Sequence, residues 1–250
     1  MQVRNIVLSF WFSELDYNPI DKVNELENNL GMYFQKPFFI NETKPYVNLV
    51  MPRIMAYSLD KKSDLNISLT NMVSNIQVLN NFTDNDEVMM YVNEKMQLLF
   101  DILRDIYDVE VLYSSIKVEL FNKIPDISLK MQKILLKEAN DNLEDFILKR
   151  GLKKDNKYYV NYTISTTKEI NVDIKLKEGV EPRNDDMLIR SMLVSLENTK
   201  VGSEILNNVI EVNDRLSFNN DASFRETNDS LRDLLFEFRK IFYEETKKEY

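Results

Sequence analysis

The chain contains no histidine and no cysteine among its 250 residues. It therefore cannot form a Ser-His-Asp or Cys-His nucleophile pair, a disulfide, an iron–sulfur site or an ordinary zinc site. Glycine is also scarce, and Gly31, Gly151, Gly179 and Gly202 lie far apart. Rossmann and Walker loops need clustered glycines so that backbone N–H groups can approach phosphate. The sequence thus excludes phosphate-loop enzymes and those that use histidine or cysteine.

The sequence also shows neither a recognisable targeting signal nor a predicted membrane span. The opening segment, MQVRNIVLSFWFSELD, lacks the basic start, long apolar run and small-residue cleavage site of a signal peptide. No run approaches the ~18 apolar residues of a membrane span, so we expect a cytoplasmic protein without membrane contact. The formal net charge of −9 opposes phosphate binding and disfavours nucleic acid as a partner.

What is present is an ordinary globular composition, 44% hydrophobic and 29% charged, which can bury a sizeable core. Asn5–Phe12 predicts a central strand, because both of its alternating faces are largely apolar. A helix is expected after Pro19. Its apolar stripe consists of Val23, Leu26, Leu30 and Phe34.

The rest of the first half predicts further strands and one long helix. The strands are expected at Tyr46–Met51, Ile54–Leu59, Leu65–Leu69, Ile76–Leu79 and Ile116–Leu120. Turns are expected around Pro52, at residues 60–64 and at Asn71–Asn75. The long helix begins near Thr83, with Thr83 and Asp86 as a candidate capping box, and ends near Tyr107.

The second half is predicted to open with a helix from Asp126 to about Leu148. Gly151 is the expected C-cap, followed by a basic loop. The remaining predictions are strands at Tyr158–Ile164 and Ile170–Leu176, a helix at Asp186–Leu196, strands at Val209–Val212 and Leu216–Phe218, and a helix from Thr227 to Glu244.

An internal repeat is the most informative feature of the sequence. Leu98–Tyr107 aligns without a gap on Leu234–Tyr243, with four of ten positions identical. An Asn-Asn pair precedes each segment, at Asn80-Asn81 and Asn219-Asn220. The repeat predicts an α+β fold of two related lobes, each an antiparallel sheet packed with helices. We expect the lobes to span residues 1–124 and 125–250.

The predicted element order and two local segments carry a family resemblance. These segments are Phe121–Ile124, which ends a strand, and Asn142–Ile147. With the two-lobe layout, they resemble a sporadically distributed family of uncharacterised bacterial proteins of similar length. The aromatic-rich pattern of that family is only partly present at the first segment. The resemblance implies a bacterial origin and two α+β halves, and it supplies no catalytic residues.

Asp173-Ile174-Lys175 is the best candidate for metal-dependent chemistry. Restriction-type nucleases hold a divalent metal with an Asp and an (Asp/Glu)-x-Lys pair, and Glu169 lies four residues before Asp173. Asp173 and Lys175 share one face of a predicted strand. Apolar residues occupy the other face, so an exposed strand face explains the pair better than a nuclease site.

Three other groups have structural interpretations that we favour. The acidic residues Asp84, Asp86 and Glu87 fit a helix N-terminus better than a calcium site. The asparagine pairs suit strand-to-helix corners. A run of basic residues could contact a nucleic acid or an acidic protein, but it fits a solvated turn better. These residues are Lys149, Arg150, Lys153, Lys154 and Lys157.

Met89-Met90 and the single tryptophan, Trp11, have two interpretations. Methionine and aromatic residues at regular spacing usually fill a core, which is the interpretation we favour. Methionine also adapts to varied apolar partners, so these residues could instead mark a binding groove between the lobes.

The sequence as a whole favours a non-enzymatic bacterial protein that acts through protein–protein interaction. It assigns no catalytic, cofactor-binding or metal-binding residue and no cofactor. Membership of a phage-related, mobile-element or defence system is the expected setting. The alternatives are a chaperone-like or antitoxin-like peptide binder that uses an apolar groove and, third, a metal-dependent nuclease. Carboxylates, lysine, serine and tyrosine are available, so the enzyme question stays open.

Overall fold

The computed structural model describes residues 1–42, 48–124, 127, 146–154, 158–171, 200–215 and 228–247. The chain divides into two compact units. The first comprises Met1–Phe121, Leu148–Ile164 and Asn207–Tyr250, and the second comprises Asn122–Ile147 and Ser165–Leu206. All sites discussed below lie in the first unit. Across the described ranges, none of the helices has both the length and the apolar character needed to span a bilayer.

The described residues form nine strands and three α-helices. The strands are β1 (Gln2–Phe12), β2 (Phe39–Ile40), β3 (Ile54–Tyr57), β4 (Asp64–Ile67), β5 (Asn71–Gln77), β6 (Val111–Lys123), β7 (Phe146–Lys154), β8 (Tyr158–Asn171) and β9 (Lys200–Asn213). The helices are α1 (Val23–Leu30), α2 (Asn85–Ile102) and α3 (Asn228–Thr246), with a 3-10 helix at Pro19–Lys22 and a π-helical turn at Leu103–Tyr107.

All nine strands belong to one sheet, in the order β2-β3-β4-β5-β1-β6-β9-β8-β7. The pairings of β1 with β5 and with β6 are antiparallel, as are those along the β2–β5 side. A largely antiparallel sheet packed with helices confirms the predicted α+β class.

Strand β1 lies inside the sheet, as its two apolar faces predict. One face is fully buried and consists of Ile6, Leu8, Phe10 and Phe12. The ring of Phe10 lies 6.3 Å from that of Phe100 in α2, so this filled face is turned toward the helices. The opposite or outer face carries the half-buried residues Asn5, Val7, Ser9 and Trp11. The period of two along a strand separates the two sets.

The amphipathic helices cover the filled face with their apolar stripes. In α1, Leu26 and Leu30 are buried, as predicted, and so is the following Phe34. The stripe of α2 is buried as predicted, and in α3 the buried residues recur at helical spacing, among them Leu234, Phe238 and Ile241. Helix α2 gives way to the π-helical turn near its predicted end, and Asp108 ends that turn in the left-handed conformation with φ 52°.

Two predictions in the first half are wrong. Asn71–Asn75 was expected to form a turn but belongs to β5, because its polar side chains find partners within the sheet. The Asn75 amide donates to Asp64 of β4 at 2.8 Å, and Ser68 Oγ donates to Asn71 Oδ1 at 2.7 Å. Of the expected strand at Tyr46–Met51, residues 48–51 form a turn instead, in which Val50 N–H donates to Asn48 Oδ1.

The predicted helix end and basic loop after residue 145 are also wrong. Residues 146–154 form β7, so Gly151 lies inside a strand and is not a helix C-cap. The sheet order places β7 at an edge, where lysines are common because charge opposes pairing with another chain. The predicted helix at residues 186–196 and the predicted strand at residues 216–218 lie outside the described residues. So does most of the predicted helix at residues 126–148.

Candidate functional site

The start of α2 explains the acidic cluster at Asp84, Asp86 and Glu87. Asp84 is the N-cap, and its Oδ1 accepts a 2.8 Å hydrogen bond from Glu87 N–H. Glu87 Oε2 accepts in return from the backbone N–H and the hydroxyl of Thr83, at 2.8 and 2.9 Å. The capping box therefore uses Asp84 and Glu87, one residue later than predicted. The backbone hydrogen bond from Thr83 lowers the pKa of Glu87 to about 2.

A polar cluster joins α2 to the turn between β3 and β4. The Tyr91 hydroxyl donates to Asp60 Oδ1 at 3.1 Å and lies 2.9 Å from Ser63 Oγ. Burial raises the pKa of Tyr91 to about 12. Tyr91 therefore keeps its proton at neutral pH, and the cluster serves to anchor the turn.

Lys95 lies beside this cluster on the buried side of α2. Its Nζ is 4.8 Å from the ring centroid of Phe34 and 5.1 Å from that of Tyr91, a double cation–π contact. Burial lowers the pKa of Lys95. The rings compensate in part for the lost hydration of the ammonium group.

A groove of about 510 Å³ runs between α2 and α3. Met89 and Leu235 form its buried floor, while Met90 and Phe236 stand in solvent, with 66% and 72% of their surface exposed. Two large exposed apolar side chains that line the same cavity make it a candidate binding surface. We call this the α2–α3 groove.

Polar residues line the ends and rim of the α2–α3 groove. The Tyr243 hydroxyl donates to Asp86 Oδ1, and this hydrogen bond raises the pKa of Tyr243. Arg232 and Arg239 line the groove on the α3 side, and both are exposed. Seven residues separate them, which is about 10.5 Å along a helix. The lining thus carries two arginines from α3 and one carboxylate, Asp86, from α2, and the Arg239 guanidinium lies 5.6 Å from the Tyr243 ring centroid.

A second cavity, of about 340 Å³, lies on the outer face of the sheet. Its walls are Tyr113 of β6 and Tyr159 of β8, with Arg215 just after β9. Between them lie Asn161, Glu211 and Asn213. The Trp11 ring stacks on Tyr113, with centroids 5.7 Å apart and an interplanar angle of 12°.

The predicted candidate residues are spread over the molecule. Asp173 and Lys175 lie outside the described residues. Glu169 is in β8, but the structure does not describe its side chain. Lys149, Arg150 and Lys153 lie exposed on β7. Among the described residues, no group of three or more acidic, histidine or cysteine side chains could hold a metal ion.

The asparagine and methionine predictions have sharper outcomes. Asn80 adopts the left-handed conformation with φ 65°, as expected for a strand-to-helix corner, whereas Asn219-Asn220 lies outside the described ranges. Met89 is buried in the core, as the favoured interpretation expects, whereas Met90 is exposed and lines the α2–α3 groove; a binding groove between lobes stays a prediction.

Sequence reasoning missed the α3 side of the groove. Arg232, Phe236, Arg239 and Tyr243 recur at i, i+4, i+7 and i+11, which places them on one face of the helix. Phe236 within this otherwise polar stripe was the available signal, but an apolar residue in an amphipathic helix is normally taken for core. The structure shows that the core stripe of α3 is a different one.

No protein-family model matches the chain, and no curated protein matches it.

Proposed function

We propose that this is a non-enzymatic protein-binding protein that holds an acidic amphipathic helix of its partner in the α2–α3 groove. The observation that carries the proposal is the pair of exposed apolar side chains, Met90 and Phe236, above a buried apolar floor. A side chain that inserts between them would remove both from water. Burial of a Phe or Met side chain stabilises by about 1.5–3 kcal/mol.

The geometry of the groove favours a helix as the occupant. Asn85 Nδ2 donates to Thr246 Oγ1 at 3.2 Å, which brings the start of α2 beside the end of α3. Tyr243 contacts Asp86 one turn away, and residues from several turns of both helices line the groove, so the two helices run antiparallel. A channel between two neighbouring helices accepts the apolar ridge of a third, whose anchors lie at i, i+3 or i+4, and i+7.

The charge of the rim favours an acidic partner. Arg232 and Arg239 are separated by two helical turns, with Phe236 between them. Two carboxylates about seven residues apart on a partner helix, with an apolar residue between them, would match this spacing. A chaperone-like binder would use the same groove for many apolar sequences, and the paired arginines favour the more specific alternative.

The test uses a labelled synthetic peptide with a leucine stripe flanked by two glutamates seven positions apart, and a matched peptide with lysines in their place. Fluorescence anisotropy with the full chain measures both affinities. We expect the glutamate peptide to bind and the lysine peptide to bind at least about tenfold more weakly. Phe236→Asp and Arg239→Glu should each weaken glutamate-peptide binding by a similar factor.

Met32→Asp is the matched control, because Met32 is 74% exposed and lies after α1. It should leave peptide affinity unchanged. Equal binding of both peptides would replace the acidic-helix proposal with a chaperone-like one. Unchanged affinity in Phe236→Asp would remove the groove from the interaction.

We also propose that the chain is an internal duplication. In the sheet, β1-β5-β4-β3 runs in one direction from the centre and β6-β9-β8-β7 in the other. In each set the last strand along the chain, β5 or β9, is followed by a long helix, α2 or α3. This symmetry supports a second copy that begins at β6, earlier than the predicted boundary between residues 124 and 125. The bacterial origin, the cytoplasmic location and the phage-related, mobile-element or defence setting stay predictions.

A further inference from the structure

We propose that the outer face of the sheet binds a nucleotide, with a base stacked on the tyrosines and the phosphate at Arg215. This site is separate from the α2–α3 groove and independent of the function proposed for it. It needs no glycine-rich loop, because side chains of the sheet supply the contacts.

The residues lie on four strands of the sheet and just after a fifth, and these five strands are neighbours in the sheet. Trp11 of β1 stacks on Tyr113 of β6, and the Arg215 guanidinium lies 5.8 Å from the Tyr113 ring centroid. Tyr159 of β8 closes the cavity on the other side, and Lys153 Nζ of β7 lies 5.9 Å from the Tyr159 ring. We call these five residues the aromatic–cationic row. At about 4.8 Å between strands, the row spans roughly 19 Å.

The row combines three aromatic rings with two cations, which is the chemistry that binds bases and phosphates. Bases stack on aromatic side chains with little regard to sequence, and cations contact the backbone. The guanidinium group of arginine is the side chain best suited to phosphate. A neutral sugar would use the aromatic rings but would gain little from Arg215 and Lys153.

The groups between the tyrosines can contact the polar edge of a base. Asn161 Nδ2 donates to Glu211 Oε2 at 3.3 Å, which fixes the orientation of both side chains. A carboxylate accepts hydrogen bonds from amino groups on base edges, and an amide can both donate and accept. The backbone at Arg215 is held by its N–H, which donates to Asn213 Oδ1 at 3.3 Å, while the guanidinium group lies over the Tyr113 ring.

Because the chain as a whole is acidic, only the local cations at this site can attract a phosphate group. The net charge is −9, so long-range steering of a polyanion is not expected. Affinity should therefore come from stacking and from two ionic contacts. For two contacts with a single strand, the slope of log K against log salt concentration should be about −1.4. Both a free nucleotide and a short single strand present the required chemistry, and the experiment separates them.

Trp11 is the only tryptophan of the chain and is therefore a built-in reporter. The full chain is titrated with AMP, with a thymidylate decamer and with maltose, and the quenching of Trp11 fluorescence is followed. We expect saturable quenching by a nucleotide probe and none by maltose. Saturation by the decamer alone identifies a single strand as the ligand, whereas equal saturation by AMP identifies a free nucleotide.

Arg215→Gln is the main variant, because Arg215 is exposed and its loss leaves the core intact. It should weaken nucleotide binding at least about tenfold. Tyr113→Leu should do the same, and Tyr113→Phe should retain binding because stacking needs only the ring. Tyr57→Leu, at an exposed tyrosine on β3, is the matched control. Absence of quenching at about 1 mM nucleotide, equal quenching by maltose, or unchanged binding in Arg215→Gln would overturn the proposal.

Discussion

The two faces of the sheet are built from alternate residues of the same strands, yet they differ in almost every property. The filled face of β1 carries Ile6, Leu8 and Phe10, all fully buried under the helices. The outer face of the same strand carries Val7, Ser9 and Trp11, all half-buried. A shift of one residue in register would exchange the two sets.

The difference shows that the side chains on the filled face stabilise the sheet, so the side chains on the outer face are available for ligand contacts. Core packing on the filled face fixes the strands, and this in turn holds the aromatic–cationic row in place on the outer face. Sites supported by a rigid sheet keep their geometry better than sites on loops. The faces should therefore respond differently to substitution, and the first prediction below tests that difference directly. The next two concern helix α2, which covers the filled face, and they follow in order of decreasing expected effect.

The largest effect is expected for Phe10→Ala compared with Trp11→Ala. Phe10 is completely buried, and its truncation should lower the free energy of unfolding by about 3–5 kcal/mol. Trp11 is half-buried and stacked on Tyr113, so its truncation should cost about 1–2 kcal/mol. Urea denaturation followed by circular dichroism measures both. Equal costs would mean that the outer face is as tightly packed as the filled one.

A smaller, pH-dependent effect is expected at Lys95, on the buried side of α2. Burial lowers the pKa of Lys95 in the folded state. At a pH between the folded and the unfolded pKa, the unfolded chain therefore binds more protons than the folded chain. Stability relative to Lys95→Met should therefore rise as the pH increases through this interval. Urea denaturation from about pH 7 to 10 checks this. Lys240→Met, at an exposed lysine of α3, is the control. The prediction would be contradicted if the parent, Lys95→Met and Lys240→Met showed the same change of stability with pH.

The smallest effect is expected at Glu87, in the capping box of α2. Its pKa falls from 4.5 to about 2 in the folded protein, because of the backbone hydrogen bond from Thr83. The stabilisation is therefore complete above 4.5 and is lost as the pH falls toward 2. Glu87→Gln should melt at a lower temperature at neutral pH and show a flatter dependence between these values. Glu94→Gln, at an exposed position of the same helix, should follow the parent curve.

Much of the fold follows from periodicity, and the strands that it missed share one physical cause. Strand β1 and helices α2 and α3 were predictable because a buried face imposes a period on the apolar residues. The first part of strand β5, residues 71–75, was not, because Asn71, Ser74 and Asn75 satisfy their hydrogen bonds through Ser68 and Asp64. Strand β7 was not, because lysines on an edge strand resemble a loop. Polar strands are paired by tertiary contacts that a local pattern does not contain.

The candidate sites were less predictable than the fold. Met90 was a candidate groove residue by type, but its exposure depends on where α3 packs. Trp11, Tyr113, Tyr159 and Arg215 are spread over the whole chain. Only the strand order β1-β6-β9-β8 brings them to one row, and that order could not be read from local sequence.

The position of β1 has a consequence for how the chain folds. Its partners are β5, about seventy residues away, and β6, more than a hundred residues away. Pairings that close such long loops cost chain entropy before they gain contacts, and they slow folding. During synthesis, the edge of β1 that pairs with β6 stays unpaired until β6 has emerged, a state in which association with other chains competes with folding. A chaperone that shields this first strand should therefore raise the yield of native protein more than one that acts after β6 is made.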